Sequence, residues 1–139
     1  MNYTIKQVSN MLNIPATTLR YYDKEGLLPY IERRGSGYRI FSESDIDMLR
    51  LIECLKATGM SIKDIKQFVD WTKLGDASLK ERHDMFLERK RVVEEQMEAL
   101  QKTMDLISYK CWYYETALEA GTEKAHEKLK NEAKKKEAL

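Results

Sequence analysis

Hydrophobic positions form short helical stripes in the first half of the chain and one long stripe in the second. In residues 4–13, TIKQVSNMLN, the apolar Ile5, Val8, Met11 and Leu12 recur on one helical face. Thr4, followed three residues later by Gln7, has the pattern of a capping box. Asn13-Ile14-Pro15 then breaks the helix, and Pro15 suits the first turn of a second one over 16–25, ATTLRYYDKE, which Gly26 stops. Residues 30–41, YIERRGSGYRIF, read as two short strands about Gly35-Ser36-Gly37, a β-hairpin. Ser42 or Ser44 can cap a third helix over 44–58, with Met48, Leu49, Leu51, Ile52 and Leu55 as its apolar face and Gly59 as its end. Ser61 and Asp64 open a fourth, 61–72, with Ile62, Ile65, Phe68 and Val69 apolar, and Leu74-Gly75-Asp76 makes a turn.

The pattern changes from Leu79 onward. Val93, Met97, Leu100, Met104, Ile107, Cys111, Tyr114 and Leu118 alternate spacings of four and three, which is a coiled-coil seam. His83 and Lys90 interrupt its backward extension, so the seam starts near Val93. A stripe of this length needs a partner, most simply the same helix of a second subunit. The expected organisation is an N-terminal unit of short helices and a hairpin with connecting helices over 1–75, a dimerisation helix over 76–120, and a charged tail over 121–139 that either extends as helix or frays.

Composition agrees with a mainly helical chain. Only two prolines and six glycines occur in 139 residues, and four of the glycines lie in the first 60. Net charge is +1, but the first 41 residues carry six Lys/Arg against three Asp/Glu. That basic block is a mild nucleic-acid signal. The chain opens without a signal-peptide pattern and no apolar run is long enough to span a bilayer, so a cytoplasmic protein with no membrane partner is expected. The two cysteines, Cys54 and Cys111, are then reduced thiols rather than a disulfide framework. No nucleophile–base set, phosphate-cradling glycine loop or paired catalytic carboxylates stands out, which argues against an enzyme, and no cofactor is implied.

The first two helices and their tight turn make a helix-turn-helix, whose second helix can enter a major groove. Thr17, Thr18, Arg20 and Tyr21 are the candidates to reach base edges and phosphates there. A basic, glycine-tipped hairpin after such a unit is a wing. Arg33, Arg34, Tyr38 and Arg39 cluster near its tip, where arginines bind phosphate and set register rather than read sequence.

Three segments, TLRYYDKEGLL (18–28), GYRIFSESD (37–45) and LKATGMSIKDIK (55–66), in this order and followed by a long helix, resemble the MerR family of bacterial transcription regulators. The likeness spans roughly residues 1–118. It implies a mainly α fold: a winged helix-turn-helix domain with a small β-hairpin wing, a connecting helical pair, and a long dimerisation helix forming an antiparallel coiled coil. It also implies a homodimer on double-stranded promoter DNA with a two-fold operator in an overlong spacer. The activated dimer would distort that spacer so that RNA polymerase holoenzyme engages both promoter elements.

The seam is followed by only about twenty residues, a charge-rich and weakly apolar stretch, too few for a sizeable apolar ligand pocket. The expected signal is therefore an ion, a small reactive molecule or a partner. Metal sensors of the family place cysteines at and just after the end of the dimer helix. Cys111 lies near the first such position, but no second cysteine follows and His126 is the only soft ligand in the tail, so no metal site is expected. Cys54 lies roughly 130° from the centre of the apolar face of its helix, by the ~100° turn per residue, and shares a side with Asp47, Arg50 and Thr58. A thiol used only as a small hydrophobe belongs nearer the stripe. The chain also resembles the aldehyde- and electrophile-responsive regulators of the AdhR and NmlR type, which carry one cysteine in this helix and a dimer helix like YKCWYYETALEAGTE (109–123). That likeness implies a sensor thiol at Cys54.

Two readings of Cys54 stand on the residues alone, a sensor or a contact buried against the recognition helix or wing. Two further functional alternatives keep DNA binding: an unknown small ligand or metal near Cys111, or an architectural protein without an inducer. Trp71 and Phe68 are expected to pack in the fourth helix. Trp112, Tyr113 and Tyr114 are expected to pack against a partner's DNA-binding domain, and His83 and His126 to be solvated.

Overall fold

A computed structural model describes residues 1–137. The element order is β1 (Tyr3–Thr4), α1 (Ile5–Leu12), α2 (Ala16–Lys24), β2 (Glu32–Arg34), β3 (Tyr38–Phe41), α3 (Glu43–Ala57), α4 (Ile62–Lys73), α5 (Leu79–Ala120) and α6 (Lys124–Glu137), with one 3-10 turn at Gly75–Ser78. The chain forms two compact units that divide within α5, the first being Met1–Val93.

In the first unit, side chains set the helix starts. Thr4 Oγ1 accepts from Gln7 N (3.2 Å) while Gln7 Oε1 accepts from Thr4 N (2.8 Å), so the expected capping box is formed. Ser42, rather than Ser44, caps α3 and exchanges the same reciprocal bonds with Asp45. Ser61 caps α4 by accepting from Asp64 N. Each such cap is worth about 1 kcal/mol. Pro15 sits one position earlier than expected, at the cap of α2 rather than inside its first turn. The turn between α1 and α2 needs a left-handed residue, and Asn13 supplies it at φ 54°. Ser9 Oγ donates to the Ile14 carbonyl at 2.6 Å and closes that turn.

The periodic residues meet in one core. Val8, Leu19, Leu27, Phe41, Leu49, Ile52, Ile65 and Val69 are all 0% exposed, with Tyr22 and Ile46 beside them. Burying each such aliphatic side chain contributes about 1.5–3 kcal/mol, which is why the short helices hold without great intrinsic helicity. One element escaped the sequence pattern. β1 adds a third antiparallel strand, order β1-β3-β2, pairing Tyr3 with Phe41 and Thr4 with Ile40. The hairpin is thereby attached to the start of the chain.

The first turns of α5 belong to this unit. Phe68 meets Phe86 edge-on at 5.4 Å, and Ser78 is buried, its hydroxyl donating to the Trp71 and Gly75 carbonyls. Arg82 donates from Nε to Ser78 Oγ at 3.0 Å and from Nη2 to the Gly75 carbonyl at 2.7 Å, so α4 and α5 are stapled through the 3-10 turn.

In the second unit, α6 is a helix over most of the tail, and positions 138 and 139 of that expected tail lie outside the described residues. His126 is not solvated as expected. It is buried, stacked on the Tyr113 ring at 3.9 Å, with Trp112 edge-on at 5.2 Å. Its Nε2 lies 2.7 Å from the Tyr113 carbonyl, which can only accept, so Nε2 carries a proton. Within the chain, Trp112 and Tyr113 therefore meet α6 through His126, while Trp112 and Tyr114 stay exposed. Burial, and then the hydrogen bond with Glu123, push the Tyr113 phenol above its ordinary pKa. His83 is exposed.

Candidate nucleic-acid interface and sensor thiol

Helix α2 divides cleanly between two faces. Leu19 and Tyr22 are buried, whereas Thr17, Arg20, Tyr21 and Lys24 are exposed. The exposed four stand at i, i+3, i+4 and i+7, which places them on one side of the helix. Thr18 lies between the faces, half-buried. Two hydroxyls, a guanidinium, a phenol and an ammonium are thus displayed on a short helix anchored from behind.

The hairpin brings Arg33, Arg34, Tyr38 and Arg39 together, as the sequence suggested. In its register Arg33 faces Arg39 and Arg34 faces Tyr38. Gly35 has φ 55°, and a side chain there would put a Cβ 2.9 Å from the Tyr38 ring, so the turn takes glycine for both conformation and space. Arg34 is held by Glu32, with Nε–Oε1 2.8 Å and Nη2–Oε2 3.3 Å. That hydrogen-bonded pair lowers the Glu32 carboxyl below its ordinary range and raises the Arg34 guanidinium.

Directly opposed arginines repel. Here a carboxylate from α2 lies between them. Asp23 Oδ2 accepts from Arg39 Nε at 2.7 Å and from Arg33 Nη2 at 2.9 Å. Arg33 also donates from Nη1 to the Gly37 carbonyl at 3.2 Å. Asp23 is a site residue that sequence reasoning missed. It lies in the TLRYYDKEGLL motif, but its partners are 10 and 16 positions away and depend on the hairpin folding back.

A second connection joins α2 to α3. The Tyr22 hydroxyl donates to Glu53 Oε1 at 2.6 Å and accepts from Lys56 Nζ at 2.6 Å. Burial, then the Glu53 hydrogen bond, raise the Tyr22 phenol far above its ordinary pKa of 10.0. Cys54 follows Glu53 in the chain and is exposed. The reading of this thiol as a contact buried on the recognition helix or wing is therefore corrected: Ile52 and Leu55 take the core side of α3, and position 54 is turned to solvent. Arg50, one turn earlier, lies 4.0 Å from Asp47.

On α5 the seam residues Met97, Leu100, Met104, Ile107, Cys111, Tyr114 and Leu118 are exposed, and Val93 is half-buried. Among the described residues no group of three or more His, Cys, Asp or Glu is placed to hold a metal ion, and no helix is long and apolar enough to cross a membrane.

Comparison with known proteins matches residues 3–70 to the MerR HTH family regulatory protein model and residues 46–108 to the MerR DNA-binding model. An HTH-type transcriptional regulator of Haemophilus influenzae is 42% identical over 125 residues, covering 90% of this chain and 93% of that protein. AdhR of Bacillus subtilis, an HTH-type transcriptional regulator, is 34% identical over 91 residues, 65% of each chain. The solved structure of HiNmlR, a MerR family regulator lacking the sensor domain and bound to promoter DNA, superposes with a TM-score of 0.80 at 42% identity, covering 90% of this chain and 99% of that one.

Proposed function

Because the chain belongs to the MerR family of helix-turn-helix transcriptional regulators, we propose that it is an electrophile-responsive activator whose sensor is Cys54. In this reading it acts in the cytoplasm as a homodimer on a two-fold promoter site. Thr17, Thr18, Arg20 and Tyr21 enter the major groove, and Arg33, Arg34 and Tyr38 meet phosphates, with Arg39 completing the wing. Two copies joined along Val93–Leu118 distort the spacer for RNA polymerase holoenzyme. The resemblance to HiNmlR, solved on promoter DNA, and to the transcriptional regulator AdhR supports the DNA-binding part of this reading.

The observation that carries the sensing proposal is the exposed thiol on α3, next to the residue that holds Tyr22 of the reading helix. With an aldehyde, the thiolate attacks the carbonyl carbon. A sulfur–carbon bond forms, the carbon–oxygen π bond breaks, and the oxygen takes up a proton, leaving a hemithioacetal. An adduct at position 54 would stand on the solvent side of α3, one residue from Glu53, whose bond to Tyr22 is the route from α3 to α2. The test is a promoter-reporter assay with Cys54→Ser. We expect aldehyde induction to be lost while basal operator binding persists, with intact-mass adducts mapping to Cys54. Undiminished induction in Cys54→Ser would rule the proposal out.

A second reading has its own observation. A cleft of about 500 Å³ beside His126 is lined by Tyr109, Trp112 and Tyr113. An inducer held there without covalent chemistry would leave the response of Cys54→Ser intact.

A further inference from the structure

The wing and the reading helix share one carboxylate oxygen. Asp23 Oδ2 takes the Nε hydrogen of Arg39 and an Nη2 hydrogen of Arg33, two residues directly across the hairpin from each other. The Asp23 side chain is 11% exposed and that of Arg39 18%, whereas that of Arg33 is 52% exposed. The three groups therefore differ in what they can still do. Arg39 is largely shielded and its Nε is committed to Asp23. Arg33 keeps outward-facing N–H groups, because a guanidinium has five donors and only two are used here.

The geometry points to Asp23 as the positioning residue of the DNA interface: it touches no base or phosphate, but locks the wing at a set distance and angle from α2. This inference rests on the winged-helix reading above. Phosphate contacts made by the hairpin and groove contacts made by α2 are useful together only if their spacing matches the duplex. Without Asp23, two opposed guanidinium groups would repel each other at the middle pair of the hairpin. The hairpin would keep its attachment to β1 through β3, since that pairing is backbone-made, and Phe41 would stay in the core with Leu19 and Tyr22, but the ion-pair hold on α2 would be lost. Arg33, held only by its bond to the Gly37 carbonyl, would be freer to turn outward. Affinity for DNA in general would then be kept, and the alignment needed for a particular site would be lost.

The experiment uses the full chain and two duplexes of equal length: one selected by the wild-type protein from a randomised pool, and one of random sequence. Asp23→Asn should weaken binding to the selected duplex by about ten- to a hundredfold, as expected for losing charge-assisted hydrogen bonds. Binding to the random duplex should change by less than about threefold, because removing a carboxylate does not reduce phosphate attraction. At saturating protein, ethylation interference at the wing's phosphates should fade or shift while α2 still protects the groove.

Binding of the selected duplex within twofold of wild type, or equal loss on both duplexes, would overturn the inference. Asp23→Glu guards against misfolding. It keeps the charge but moves the hairpin by a methylene, and should also shift the wing's phosphate contacts; an unshifted pattern counts against the inference. A double-mutant cycle with Arg39→Gln completes the test. If Asp23 acts through the arginine, the double variant is little worse than the weaker single one, and full additivity would contradict it.

Discussion

The two halves of the long helix α5 live in different surroundings. Its first turns are half of a packed contact: Phe86 meets Phe68, and Arg89 donates to the Thr58 hydroxyl at 3.3 Å. Farther along, large apolar side chains stand in the open, with Leu100 68% and Leu118 81% exposed. One unit of the molecule is thus complete as a folded body, while the other displays a stripe that only another surface can cover. Monomeric proteins rarely expose contiguous apolar patches of this kind. The comparison teaches that the helix-turn-helix unit is packed within a single chain, whereas the stripe on the second half of α5 is left for association, as the proposed two-fold dimer would use it.

The sharpest way to break this comparison is a charge in the seam. Leu100→Lys enters a dimer twice, and losing two buried leucines should cost about 3–6 kcal/mol. We expect a monomer by sedimentation equilibrium at micromolar concentration and loss of operator binding. The amides of Leu49 and Ile52 should keep their native NMR shifts. If those shifts collapse when the dimer dissociates, the first unit is not self-sufficient and the contrast fails.

A smaller effect tests how the first unit couples its reading helix to α3. Tyr22→Phe removes the hydroxyl between Glu53 and Lys56 and should cost about 1–1.5 kcal/mol near neutral pH. The phenol pKa is raised in the folded state, so the folded protein stays protonated where the unfolded chain ionises. Stability from this source is complete below the ordinary value of 10.0 and is lost as pH rises above it. Denaturant titrations should therefore show the gap between wild type and Tyr22→Phe narrowing from pH 9 to pH 11. A constant gap would mean that Tyr22 does not hold its proton in this way.

These contrasts also mark what could be read from the chain. The helices, their caps and the hairpin were legible, because each follows from local spacing: Ile5 to Leu12, Thr4 with Gln7, glycines at the turn. The exposed row on α2 was legible for the same reason. β1 was not, since two residues carry no alternation and Thr4 reads first as a cap. Asp23 was hidden because an ion pair formed across a folded hairpin leaves no periodic trace, and its negative charge sits in a basic segment. His126 was misread because a lone histidine in a charged tail gives no sign of the aromatic rings that α6 brings to it. Local order is written in spacing, and long-range polar contacts are not.

The smallest structural effect separates the two cysteines. Both are exposed in the single chain, but the exposure differs in kind. Cys54 stands off the core of a self-contained unit, so Cys54→Ser should change unfolding free energy by no more than about 0.5 kcal/mol. Cys111 lies among Ile107, Tyr114 and Leu118 in the seam, where a hydroxyl would be drawn out of water on association. Cys111→Ser should leave the monomer's stability unchanged and weaken the dimer roughly fivefold, an effect of about 1 kcal/mol. Thiol-labelling rates would add a second axis: Cys54 should react equally fast at all protein concentrations, and Cys111 should slow as the dimer forms. Equal slowing of both would place Cys54 under the partner as well, and a thiol covered in the dimer is a poor detector of small electrophiles.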